Sequence, residues 1–226
     1  MRARTVLVVA AHPDDEVLGC GGTMARHAGE GDRVIPVFLA DGESARGEAG
    51  AAMIGNRRRA AILAAGRLGA ETPIFFSFPD NRLDAVPLLG IVQTIEGVLR
   101  ETLPRIVYTH HGGDLNIDHR RVHQAVLTAC RPLPGQSVQR VYAFEVPSSS
   151  EWGGAALGPP FEPNRFVDIG RWLDRKAAAL DAYAGELREA PHPRSREAIA
   201  ALQSWRGATA GIGAAEAFAV LREIER

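Results

Sequence analysis

Apolar runs alternate with helical stripes along most of the chain. Thr5 to Ala10 is nearly all apolar, the pattern of a central strand covered on both faces. Arg33 to Ala40, Ile74 to Phe78, Arg105 to Thr109 and Val138 to Val146 read as further strands, with a short one at Arg165 to Ile169. Between them lie helical patterns. Val17, Leu18, Met24, Ala25 and Ala28 fall at helical spacing, and Met53 to Leu68 is an alanine-rich helix. Leu88 to Leu103 forms another, stopped by Pro104. Gly170 to Leu187 is amphipathic, Ser195 can cap a helix ending near Trp205, and Ala214 to Ile224 sets Phe218, Leu221 and Ile224 on one stripe. Strands alternating with helices predict an α/β fold around a mostly parallel sheet. Pro147 to Asn164 stands apart as a long loop rich in Ser, Gly and Pro, with Trp152 near its middle. A loop of that length is usually a lid, a binding loop or disordered.

Length and composition narrow the picture. The 226 residues suffice for one large domain, 1–226, with a full core. Hydrophobic residues make up 46% and the formal charge is −1, so nothing favours nucleic-acid binding or an anionic membrane surface. No apolar stretch of membrane length is present, and the expectation is a cytoplasmic protein without membrane insertion; homo-oligomerisation is left open. Cys20 and Cys130 belong to no Cys-x-x-Cys pair, which excludes a zinc ribbon. Gly19, Gly21 and Gly22 do not match the spacing of a dinucleotide-binding turn and are read as close helix-to-strand packing, with Cys20 a small buried residue. Lys176 is the only lysine, which reads as compositional bias toward Arg.

Candidate chemistry gathers at two strand ends. His12-Pro13-Asp14-Asp15-Glu16 follows the first strand and precedes a helix. Helix capping explains one or two acidic residues there, but not this whole group after an apolar strand. Ionisable groups so placed are costly to bury unless paired or bound to a cation. His12 and Asp15 are suitable ligands for a zinc-like metal, and Asp14 between them can serve as a base. The second cluster, His110 to His119, follows the strand at Arg105 to Thr109 and is trailed by His123. The polar stretch Pro79 to Asp84, including Asn81, follows a third strand and is read either as turn chemistry or as ligand contact. Arg57, Arg58 and Arg59 are adjacent on a helix and cannot all face one way; a solvated face competes with one of them reaching a ligand.

Together the two clusters resemble the PIG-L/LmbE-like metal-dependent N-acetylglucosamine deacetylases. Ala11 to Glu16 matches that family's Ala-His-Pro-Asp-Asp-Glu motif, and Asp118-His119 is similar to its Asp-His element. The resemblance runs from Val6 to about Arg131 and more loosely beyond. It implies a Rossmann-like, mostly parallel sheet with helices on both faces, and removal of an N-acetyl group from an amino sugar or its conjugate. His12, Asp15 and His119 would then hold a metal, with zinc expected. Asp14 would be the base, Asp118 would orient the site, and one of Arg57 and Arg58 would face the sugar. Asn81, Asp114 and Trp152 complete the expected substrate contacts. His123 is the rival to His119, because residues four apart share a helix face. At Asn116 the family often has histidine. Asn116 is read as a neutral donor to the oxyanion, or else as a turn-shaping residue before the helix. Another amide hydrolase, or a non-catalytic metal-dependent sugar-binding module, is the competing function.

Overall fold

The computed structural model describes residues 3–46 and 51–225. Seven strands form one sheet: β1 (Thr5–Ala10), β2 (Arg33–Ala40), β3 (Ile74–Phe78), β4 (Ile106–His110), β5 (Arg140–Phe144), β6 (Arg165–Asp168) and β7 (Ala215–Glu223). Their order is β3-β2-β1-β4-β5-β7-β6. The pairs from β3 through β5 are parallel, and β7 runs antiparallel between β5 and β6. The helices are α1 (Asp15–Gly29), α2 (Ala51–Leu68), α3 (Leu88–Thr102), α4 (Ile117–Ala129), α5 (Leu173–Ala182) and α6 (Arg196–Thr209). The expected mostly parallel α/β sheet is borne out. Among the described residues no helix is long and apolar enough to cross a membrane.

Alternate residues of each central strand face opposite layers. Val6, Val8 and Ala10 of β1 join Tyr108, Tyr142 and Phe144 under α1, α2 and α5. Leu7 and Val9 join Val107 and Val141 under α3 and α4. Both faces are therefore covered, which is why these strands carry apolar side chains at nearly every position. Sequence order reverses at β1: it is followed by β2 on one side and has β4 on the other. In such sheets the crevice for a ligand opens at the carboxyl ends of the strands beside that point. Residues 11–16 leave β1 there, and residues 110–119 leave β4 beside them.

The glycines after the first motif do pack closely. A Cβ at Gly19 would run into the ring of Phe144, and one at Gly22 would lie 2.8 Å from Ile169 Cβ. Cys20, buried between them, has non-helical angles (φ −148°, ψ 23°), so α1 is broken there. The break frees backbone groups that other elements satisfy. Glu216 on β7 accepts from Gly22 N (2.8 Å) and Thr23 N (2.7 Å). Lys176 on α5 donates to Leu18 O (3.1 Å) and to Glu216 (2.6 Å). The single lysine is thus a buried partner of α1, which corrects its reading as mere composition.

The C-terminal stripe also resolves differently. Ala214 to Ile224 is not a helical surface but contains β7, where Phe218 and Val220 pack on one face of the sheet and Leu221 on the other. A register shift opposite Val141 and Tyr142 lets the strand change sides. The amphipathic stretch at Gly170 to Leu187 breaks into α5 flanked by short 3-10 turns. Pro147 to Asn164 contains no helix or strand, as its composition predicts.

Candidate functional site

Three buried side chains converge beyond β1 and β4. His12, Asp15 and His119 place one ligand-type atom each within 4.8 Å of one another. Asp15 Oδ2 lies 3.3 Å from His12 Nδ1 and 3.3 Å from His119 Nε2. Each imidazole turns its other nitrogen to a carboxylate. His12 Nε2 is 3.0 Å from Asp118 and 3.0 Å from Asp80, while His119 Nδ1 is 3.1 Å from Asp114. Carboxylates behind ligating histidines fix the ring and its tautomer in metal sites. Two imidazoles and a carboxylate, buried together with oriented backs, suit a zinc-like cation. Without a cation, proton binding follows the same geometry. Burial works against the His12 imidazolium, yet Asp118, Asp15 and Asp80 hold its pKa well above the ordinary value. His119 is likewise raised, to about 9, by Asp15 and Asp114 in spite of burial. Asp15 is buried but held well below the carboxylate range by His119 and His110. A cation would displace protons from both rings.

Asp118 is the tie between two strand ends. Its Oδ2 accepts from Asn81 N (2.7 Å) and its Oδ1 from Leu83 N (2.9 Å), besides facing His12. A second triad, His12, Asp80 and Asp118, is also close enough for a metal. Both Asp118 oxygens are filled by backbone N–H groups, whereas Asp15 accepts only one such bond, from His12 N to Oδ2 (2.9 Å), so the first triad is the better donor set. Asp114 accepts from Ser149 and from Ser150 (2.6 Å), joining His119 to the root of the long loop. It backs the His119 ring rather than facing an open cleft, which corrects its expected contact with substrate. His123 is not in the cluster: Nδ1 donates to His110 O (2.8 Å). His110 stacks on His119 with centroids 3.9 Å apart, and its Nε2 accepts from Ala11 N (2.8 Å). It is a neutral support for the His119 ring, its pKa lowered by burial and by His119.

Asn116 caps α4. Its Oδ1 accepts from Asp118 N (2.8 Å), and its Nδ2 donates to Asn81 Oδ1 (3.2 Å). The turn-shaping alternative therefore accounts for the Asn116 oxygen and for one of its amide N–H groups. Asn81, through the same bonds, belongs to the frame around Asp118.

Asp14 adopts φ 132°, a region that non-glycine residues rarely visit, and such strain often marks functional sites. Its N–H donates to Glu16 Oε2 (2.9 Å), and Tyr183 donates to the other Glu16 oxygen (2.7 Å). Burial pushes Glu16 up to about 8. The Asp14 carboxylate is held at Oδ2 by Arg194 (3.0 Å) and Arg57 (3.4 Å). Burial raises its pKa, and the two guanidinium groups oppose that rise. Arg57 also pairs with Glu186. Arg58 instead donates to Phe76 O (3.3 Å) and Ser77 Oγ (2.8 Å) on β3 and lies over Phe75, which removes it from the site. Trp152 is 50% exposed on the long loop, 6.0 Å from His192 edge-on, and is free to meet a ligand. Arg194, Glu186 and Tyr183 were not singled out by the sequence. Arg194 lies in the turn before α6, and no motif marks it.

Residues 7–130 match the PIG-L family model, described as GlcNAc-PI de-N-acetylase. The chain belongs to the PIG-L family. An Escherichia coli K12 relative, "Uncharacterized deacetylase YaiS", is 31% identical over 66% of this chain and 77% of its own length. The 1D-myo-inositol 2-acetamido-2-deoxy-alpha-D-glucopyranoside deacetylase of Rhodococcus erythropolis is 28% identical over 84% of this chain and 83% of its own. The chain is also similar to a solved structure of a different activity. The crystal structure of GalB, the 4-carboxy-2-hydroxymuconate hydratase of Pseudomonas putida KT2440, superposes with a TM-score of 0.75 at 28% identity, covering 99% of each chain.

Proposed function

We propose that this protein is a zinc-dependent hydrolase that removes the N-acetyl group of an N-acetylglucosamine-type amino sugar or its conjugate. The observation that carries the reading is the His12, Asp15 and His119 triad with a buried carboxylate, Asp14, next to it in the chain. The family description and the deacetylase relatives supply the substrate class. When bound, the metal polarises the amide carbonyl and makes water a stronger acid. The chain's own groups do the rest. His12, Asp15 and His119 hold the cation, and Asp118 and Asp114 hold the two rings. Both guanidinium contacts fall on Asp14 Oδ2, so Oδ1 is the oxygen left to take a proton from the attacking water. The same carboxyl can return that proton to the departing amine, giving acetate and a free amino sugar.

The test is acetate release from N-acetylglucosamine conjugates by protein stripped with chelator and reloaded with zinc. Turnover should vanish on stripping and return with the metal. Persistent turnover in stripped, metal-free protein refutes the metal's role. The hydratase likeness supports a second reading, addition of water to an activated double bond in an unsaturated tricarboxylate. Loss of that compound's ultraviolet absorption, without acetate from any acetylated sugar, would favour it.

Trp152 is assigned to the sugar or its attached group, because an exposed aromatic face stacks on such surfaces. Trp152→Ala should raise KM more than it lowers kcat. An unchanged KM across the acetylated sugars that are turned over would make the loop a plain surface feature.

A further inference from the structure

Arg194 reaches three parts of the molecule at once. Its Nη1 lies 3.0 Å from Asp14 Oδ2, and its Nε donates to Ser148 Oγ (2.8 Å) and approaches Pro147 O (3.4 Å). Pro147 and Ser148 begin the long loop that carries Trp152. Ser148 has φ 67°, and its N–H donates to Glu151 Oε1 (2.6 Å), so this root is a formed turn rather than a loose strand of chain. Glu186 completes the setting, pairing with Arg57 and lying 4.0 Å from Arg194.

Two guanidinium groups on one carboxylate are not equivalent. Arg57, on α2, is 7% exposed and is neutralised locally by Glu186 and, at 3.9 Å, by Glu43. Its contact with Asp14 is the longer one. Arg194 makes the shorter contact, and its side chain is 19% exposed. It is the only one of the two that also grips the loop. Asp14 sits at a strained φ, so its side-chain direction depends on what holds it. A fork with rigid, planar geometry suits that task better than an ammonium, which is a point charge on a flexible stem.

We propose that Arg194 is a positioning residue for the reaction: it sets the direction of the Asp14 carboxylate and couples it to the root of the Trp152 loop. Arg194 does not itself touch the reacting atoms. This rests on the proposed function, in which Asp14 moves the proton. Small errors in the placement of a reacting group are expensive; a misplacement of about 1 Å can cost about 10²-fold in rate.

The experiment compares wild type, Arg194→Ala and Arg194→Lys, each loaded with zinc, on an acetylated sugar that wild type deacetylates. Arg194→Ala should lose about 10²-fold in kcat, with the metal content of wild type. Guanidinium ion at millimolar concentration should restore part of that kcat, since truncation vacates the place of a guanidinium whose side chain is 19% exposed. Arg194→Lys should fall between, because it keeps the charge and loses the fork. Wild-type kcat in Arg194→Ala overturns the proposal. So does a loss that follows metal content or that guanidinium leaves unchanged. Should Arg194→Ala fail to fold, Arg194→Lys decides: reduced kcat in a folded, metal-loaded protein supports the role, and wild-type kcat overturns it. No acetate from wild type on any acetylated sugar counts against the proposed function, and with it against a positioned base, whereas active wild type with indifferent variants counts against Arg194 alone.

Discussion

Asp14→Asn should keep the bound metal and lose most turnover, roughly 10²–10⁴-fold, the usual effect of removing a general base. Asn is the right substitution for three reasons. It preserves the shape of the side chain. It tolerates positive φ better than most residues, so the strained backbone survives. It also leaves Arg57 with Glu186 and Glu43 as partners, and Arg194 with Ser148 and Pro147, so the cleft is not left with bare charge. Neither amide oxygen nor amide nitrogen can take up a proton near neutral pH. Metal analysis and thermal melting of the same preparation separate chemistry from damage. Turnover near that of wild type, with metal in place, would remove Asp14 from the mechanism.

The second large effect falls on stability. Glu216→Ala should cost several kcal/mol, on the order of 3–5, because it leaves the Lys176 ammonium buried and unpaired. It also strips the N–H groups of Gly22 and Thr23 of their acceptor at the break in α1. Buried donors left without partners add their own cost. Lys176→Met should be milder, since Glu216 keeps both backbone donors. Adding Lys176→Met to Glu216→Gln should recover part of the loss, because no buried charge then remains. Urea titration of these variants beside wild type measures the series. A loss below about 1 kcal/mol for Glu216→Ala would put the pair in the class of surface ion pairs.

The parts of this molecule legible in its sequence are those governed by local pattern. β1, β2 and β3 occupy the spans their apolar runs predict; burial on both faces leaves an unbroken signal in β1 and β2, and β3, half-buried at the sheet edge, keeps an apolar run broken at Ser77. The first motif was legible because ligand-type residues sit directly at the end of β1, and Asp118-His119 because it opens the helix that follows β4. What the sequence hid depends on contacts across long separations. Asp14 and Arg194 are 180 positions apart, and nothing in the turn before α6 announces its partner. Arg57 and Arg58 differ only in azimuth on α2, and the docking of β3 under that helix decides which one enters the cleft. β7 was obscured because its two faces are both apolar and a register shift disturbs the alternation, so a chance three-residue stripe stood out. Asn116 carried two readings, and the start of α4 selected the cap.

The burial of Lys176 gives the protein an uncommon chemical blind spot. At 2% exposure, its amine is closed to acylating reagents while α1, α5 and β7 stay packed, and the chain has no other lysine to offer. Coupling at this side chain therefore requires an excursion that separates those elements. Its modification rate, followed by mass spectrometry, is a clock for that opening, set against the slower unfolding of the whole sheet. Cross-linking or surface attachment through lysine would select the molecules caught open, and the native population would pass through unlabelled at that position.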